Sequence, residues 1–200
     1  TASAGSITAA DIDTGGNASL SAVGDITTGS LIVGGSTRLT ASTGAITTGN
    51  INGATIVELT ASGLIDVESI EAWSGLLTTS GGININSDAI FYGSAELSAG
   101  GDIVTGFITT LDTRLLINSS GSITTADIDT GTFVELTASS GSIRTGDISS
   151  GGNAAKPAYG GAELSAGGDI VTGFITAQRY QVAINSSGSI TTADIDTGTF

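Results

Sequence analysis

The chain repeats itself at two lengths, and a single fold has to satisfy both. Ala95–Thr109 recurs unchanged at Ala162–Thr176, and Ile117–Phe133 recurs unchanged at Ile184–Phe200, each at an offset of 67 residues. Two identical blocks at one offset are a tandem duplication. Within it runs a shorter unit, Leu-Thr-Ala-Ser-x-Gly-x-Ile-Thr-Thr-Gly-Asp-Ile. Its first isoleucine falls at Ile7, Ile26, Ile46, Ile65, Ile85, Ile103, Ile123, Ile143, Ile170 and Ile190, in steps of 18–20 residues with one step of 27. In the fifth unit Ile83 can replace Ile85. A second aliphatic follows at Ile12, Leu31, Ile51, Ile70, Ile90, Ile108, Ile128, Ile148, Ile175 and Ile195. A third column precedes them at Leu20, Leu39, Leu59, Leu77, Leu97, Leu116, Leu136 and Leu164, with Ala183 in the last unit. Steps of 20, 20 and 27 residues together return the 67-residue offset, so the two periods agree.

A period of about 20 residues restricts the unit. Apolar and polar residues alternate around Leu-Thr-Ala and Ile-Thr-Thr, the period-two pattern of strands. Gly or Ser-Gly falls between these segments, where the chain must turn. No segment has the i, i+3, i+4 spacing of an amphipathic helix, and two-helix repeats need 33–34 residues. Leucine-rich repeats have the length but require more leucines and an Asn at fixed spacing. The expected fold is therefore all-β: a right-handed parallel β-helix (β-solenoid) of about ten rungs, each of 19–20 residues and three short strands. Stacked about 4.8 Å apart, ten rungs span roughly 50 Å. In Thr55–Leu59 and Thr132–Leu136, Val57, Leu59, Val134 and Leu136 are expected to point inward. Ile56, Glu58, Phe133 and Glu135 are expected to point outward. Residues 1–200 read as one continuous solenoid segment with an insertion loop at about 153–161, which holds the only proline, Pro157.

Neither end reads as a polar cap, although a solenoid end exposes unpaired backbone. With no methionine either, the chain is expected to belong to a longer run of coils or to stack end to end. The expected continuation is close to Val-Glu-Leu-Thr-Ala-Ser-Ser-Gly-Ser-Ile-Arg-Thr-Gly-Asp-Ile.

The charge excludes some partners. Nineteen acidic residues face five basic ones, a net charge of −14. Phosphate backbones and anionic membrane surfaces both need basic clusters, so neither nucleic acid nor a membrane surface is an expected partner. No apolar run approaches the ~20 residues of a membrane span.

Chemistry-bearing residues are few. The chain has no His and no Cys, the commonest general bases, nucleophiles and zinc ligands. Asp11/Asp13, Asp127/Asp129 and Asp194/Asp196 form carboxylate pairs, but they are copies of a repeat, whereas a glycosidase site is single. No enzymatic activity and no resident cofactor are expected. Calcium favours clustered oxygens, which makes Asp127, Asp129 and Asp147 on adjacent rungs the metal candidates. Equivalent positions carry Asn50/Asn52, Ser69/Glu71 and Phe107/Thr109, so the acidic ladder is broken and a solvated acidic face is the simpler reading. Outward threonines are too often interrupted for lattice-matched ice binding. The interaction candidates are the aromatics Phe107, Phe133, Phe174 and Tyr159, which could form a stripe for lateral association. Trp73 reads as a corner plug.

Leu39–Ile51, Leu136–Ile148 and Leu97–Ile108, the last repeated at Leu164–Ile175, resemble the repeat region of filamentous-haemagglutinin-type exoproteins exported by two-partner secretion. The resemblance covers nearly the whole chain. It implies a β-helical shaft of a surface adhesin or matrix filament, extracellular or on the surface of a Gram-negative-type bacterium. It carries over no catalytic residues. The expected partners are copies of the chain, end to end or side by side, and cell-surface or matrix glycans. A carbohydrate-binding or polysaccharide-cleaving β-helix is the alternative.

Overall fold

The computed structural model describes residues 1–111, 113–151 and 160–198. Every named element among them is a β-strand, and every strand pairing is parallel. The strands stack into three sheets that wind as a right-handed β-solenoid. The first sheet has ten strands, from Ile7–Thr8 to Ile190–Thr191, which bound nine turns. The second runs from Ile12–Thr14 to Ile195–Asp196 and the third from Ala18–Ala22 to Arg179–Ser186. They merge in two rungs, where Ile51–Ala61 and Ile70–Thr79 run through both sheets without a break.

Cross-rung register builds the core. In the first sheet Ile7, Ile26, Ile46, Ile65, Ile83, Ile103, Ile123, Ile143, Ile170 and Ile190 stand directly above one another. In the third, Leu20, Leu39, Leu59, Leu77, Leu97, Ile117, Leu136, Leu164 and Ile184 do the same. Each column continues in both directions, so a side chain is covered by the rungs above and below. A single rung could not offset the entropy of ordering its own backbone; nearest neighbours make the coil stable. Val57, Leu59, Val134 and Leu136 point inward as expected. Small Ala22, Ala41, Ala61, Ala99, Ala138 and Ala166 fill the narrow corner after the leucine column.

Four members of the expected columns are corrected, each by one or two residues. Ile83, not Ile85, pairs with Ile65 and Ile103, so Asn84 between them takes the outward position of that strand. Ala89, not Ile90, lies between Ile70 and Ile108. Ile117 replaces Leu116, which pairs with Glu96 and Glu135 on the outside, and Ile184 replaces Ala183, which pairs with Glu163. In the last three cases two apolar residues are adjacent, so alternation alone does not say which of them is inside. Ile85 is buried as well, two residues beyond Ile83, in a column otherwise made of Thr28, Thr48, Val67, Thr105, Thr125, Thr145 and Thr172. Thr48, Thr105, Thr125, Thr145 and Thr172 each donate to the carbonyl of the next residue, whereas the buried Thr28 hydroxyl has no partner among the described residues.

The eighth and ninth rungs keep register across the 27-residue step, since Ile143 pairs with Ile170 and Ile148 with Ile175. Gly151, at φ 89°, and Gly160 sit side by side where the insertion leaves and rejoins the corner. Asn153–Tyr159 lies outside the described residues. Elsewhere a large side chain fits because its neighbour has none: fully buried Phe91 occupies the space where Gly75 would carry a Cβ.

Candidate functional site

The corners are where the polar residues gather. At six of the nine turns the residue before a first-sheet isoleucine is an Asp or Ser whose side chain accepts the backbone N–H of the equivalent residue one rung on; Ala45, Leu64 and Gly82 hold that position in the third to fifth rungs. Ser122 N–H donates to Asp102 Oδ1 at 2.7 Å, Ser142 N–H to Ser122 Oγ at 3.2 Å, Asp169 N–H to Ser142 Oγ at 3.1 Å and Ser189 N–H to Asp169 Oδ1 at 2.8 Å. Earlier rungs repeat the contact from Asp25 N–H to Ser6 Oγ and from Ala45 N–H to Asp25 Oδ1. At the second corner, Asp11, Asp127 and Asp147 accept from Ser30, Asp147 and Phe174, each at 2.8 Å. The carboxylate reaches the next rung by crossing over the glycine that precedes the donor. A Cβ on Gly29, Gly121, Gly146, Gly173 or Gly188 would collide with that oxygen. Gly-Asp and Gly-Ser pairs are thus a two-part staple, one half in each of two rungs.

This staple accounts for Asp127 and Asp147, which the sequence offered as metal ligands. The structure does not gather Asp127, Asp129 and Asp147 into a ligand set, and among the described residues no group of three or more His, Cys, Asp or Glu is placed to hold a metal ion. Asp129 lies on the strand Ile128–Thr130, paired with Ser149. The staple was missed from sequence, although its signal is present as Gly-Asp-Ile or Gly-Ser-Ile at the first-sheet isoleucine in seven of the ten rungs.

Asp169 accepts both the backbone N–H and the hydroxyl of Ser189, and these bonds hold its carboxyl below the usual carboxylate range. A depressed folded pKa stabilises the fold above the unfolded-state pKa of about 3.9 and stops doing so as pH falls through the folded value. Asp169→Asn is therefore expected to be less stable than the parent at pH 7, and the difference should shrink below about pH 4. Denaturant midpoints at pH 7 and pH 3 check this; an equal gap at both would contradict it.

The aromatic candidates divide. Phe107 and Phe174 are 52% exposed and occupy equivalent corners three rungs apart, about 14 Å along the axis. Phe133 is half-buried, with its ring against Gly161 of the next rung. Tyr159 lies outside the described residues.

Trp73 is not a plug. It is 59% exposed, in the strand Ile70–Thr79 where the second and third sheets merge. Tyr92, one rung on, stacks with it at a centroid distance of 6.5 Å and an interplanar angle of 27°. The Tyr92 hydroxyl donates to Glu71 Oε1 at 2.7 Å, and that bond raises the tyrosine pKa. Two glycines make room. Gly53, at φ 79°, sits at the register shift between Glu71 and Ala72, and a Cβ on Gly93 would lie 3.3 Å from Trp73 Nε1. Gly53, Ala54, Thr55, Glu71, Ala72, Trp73 and Tyr92 line a groove of about 250 Å³.

Fold and corners together define a parallel β-solenoid repeat protein, whose periodic polar groups serve the stacking of rungs and whose unique groups lie at Trp73. No family model matches the chain, no curated protein matches it, and no solved structure matches it.

Proposed function

We propose that this chain forms part of the shaft of a secreted surface fibre, a non-catalytic rod of the filamentous-haemagglutinin type that serves adhesion or matrix building. On this reading it lies outside the cell or on the surface of a Gram-negative-type bacterium. The observation that carries the proposal is the unbroken register: the same inward columns pass through nine turns, including the 27-residue step, and corner staples join six of those turns. Such an element lengthens in proportion to its repeats, by about 4.8 Å per rung, without changing its cross-section.

Copies of the chain are the partners this reading implies. Phe107 and Phe174 suit contact between neighbouring rods.

Electron micrographs of the full-length parent protein test the proposal. Unbranched filaments of constant width are expected, about 14 Å longer for every 67-residue unit inserted. Globular particles would overturn it.

A further inference from the structure

The repeat separates what the solenoid needs from what it does not. Corner aspartates, inward isoleucines and small corner alanines recur from rung to rung, so stacking explains them. The Trp73 corner occurs once. It holds the only tryptophan of the chain, and that ring is left mostly in water, where it adds little to the core. Two glycines and a merged strand accommodate it, and a second aromatic with a carboxylate stands beside it.

We propose that Trp73, Tyr92 and Glu71 form a binding site for a neutral sugar ring, whose C–H face packs on the aromatic rings while one hydroxyl donates to Glu71. Indole and phenol rings present apolar faces with polar edges, which matches a pyranose of one apolar face and a rim of hydroxyls. The Tyr92–Glu71 hydrogen bond fixes both side chains before the ligand arrives, so less ordering entropy is lost on binding. Glu71 keeps a second oxygen to accept with, and Thr55 adds a hydroxyl to the groove wall.

The charge selects among sugars. Among the described residues no Lys or Arg lines the groove, one Glu does, and the chain as a whole carries −14. Sulfated sugars and uronates would meet repulsion with no compensating cation. A lysine side chain is the competing ligand, since ammonium groups also bind aromatic faces. Two rings inclined by 27° offer it a wall rather than a cage, and the hydroxyl and carboxylate of the groove favour a ligand with several donors and acceptors. The inference goes beyond the shaft reading and does not depend on it, because three adjacent rungs build the whole site.

The single tryptophan makes the test direct, because emission of the unaltered protein reports this site alone. The 200-residue chain is titrated with neutral hexasaccharides of glucose, galactose and N-acetylglucosamine, with a sulfated and a uronate hexasaccharide, and with a lysine-rich peptide. At least one neutral sugar is expected to shift the emission saturably, while the anionic sugars and the peptide do not. Tyr92→Ala, checked for retained circular dichroism, is expected to bind about tenfold more weakly, and Tyr92→Phe to lose less than the alanine variant. Phe107→Ala should bind as the parent does. No response to any neutral sugar, a response to the peptide or the anionic sugars alone, or undiminished binding by folded Tyr92→Ala would each overturn the proposal. None of these results bears on whether the parent forms filaments.

Discussion

Replacing Ile123 by alanine is expected to lower the unfolding free energy by about 2–5 kcal/mol, the range for deleting a buried aliphatic side chain and leaving its cavity. Ile123 is fully buried between Ile103 and Ile143 in the first-sheet column. Rungs on both sides lose contacts, and a backbone held at strand spacing on three sides cannot collapse into the gap. Ile32→Ala makes the same chemical change on the outward side of the strand Leu31–Val33, where the side chain is 56% exposed. It should cost less than half as much. Denaturant unfolding of the two variants makes the comparison, and equal losses would show that column position does not govern burial energy here.

Gly141→Ala is expected to cost about 3 kcal/mol, the upper part of the overpacking range. A Cβ there would lie 2.5 Å from the backbone carbonyl carbon of Gly121, one rung below, and the rungs cannot separate without breaking their ladder bonds. Gly146→Ala is a different case. Its Cβ would meet the Asp127 carboxylate, which can swing aside at the expense of its bond to Asp147 N–H, a loss of about 1.5–3 kcal/mol. The two cases separate in double-mutant cycles. Adding Asp127→Ala should remove most of the penalty that Gly146→Ala carries on its own, because the clash and the bond disappear together. Adding Ser122→Ala should leave most of the Gly141→Ala penalty in place, because backbone causes it. Additive costs at Gly146 and Asp127 would refute the two-part staple.

The staple also changes how the acidity of the chain is understood. Aspartates at the corners look like a solvated face when only local spacing is considered. In three dimensions Asp11, Asp25, Asp102, Asp127, Asp147 and Asp169 each lie beside a backbone donor 19–27 residues away in sequence, and that donor is accessible only because a glycine precedes it. The carboxylates thus join successive rungs at the turns, where the strand ladders are interrupted.

The coil was legible in the residues alone. A 19–20-residue period, alternation within short segments and glycine between them admit one stacking of three parallel strands, and the inward places of Ile7, Ile26, Leu39, Val57, Leu59, Leu97, Val134 and most other column members follow from it. Period two stops being informative where apolar residues touch, as at Ala89-Ile90, Leu116-Ile117 and Ala183-Ile184, or recur two apart, as at Ile83 and Ile85. There only pairing with the neighbouring rung chooses. Tertiary structure alone decided the corners, because the partner of Asp127 and the surroundings of Trp73 are set by contacts between rungs. Tyr92 reaches Trp73 and Glu71 across 19 and 21 residues of chain, distances over which local pattern carries no information and which the helical winding reduces to a single strand spacing.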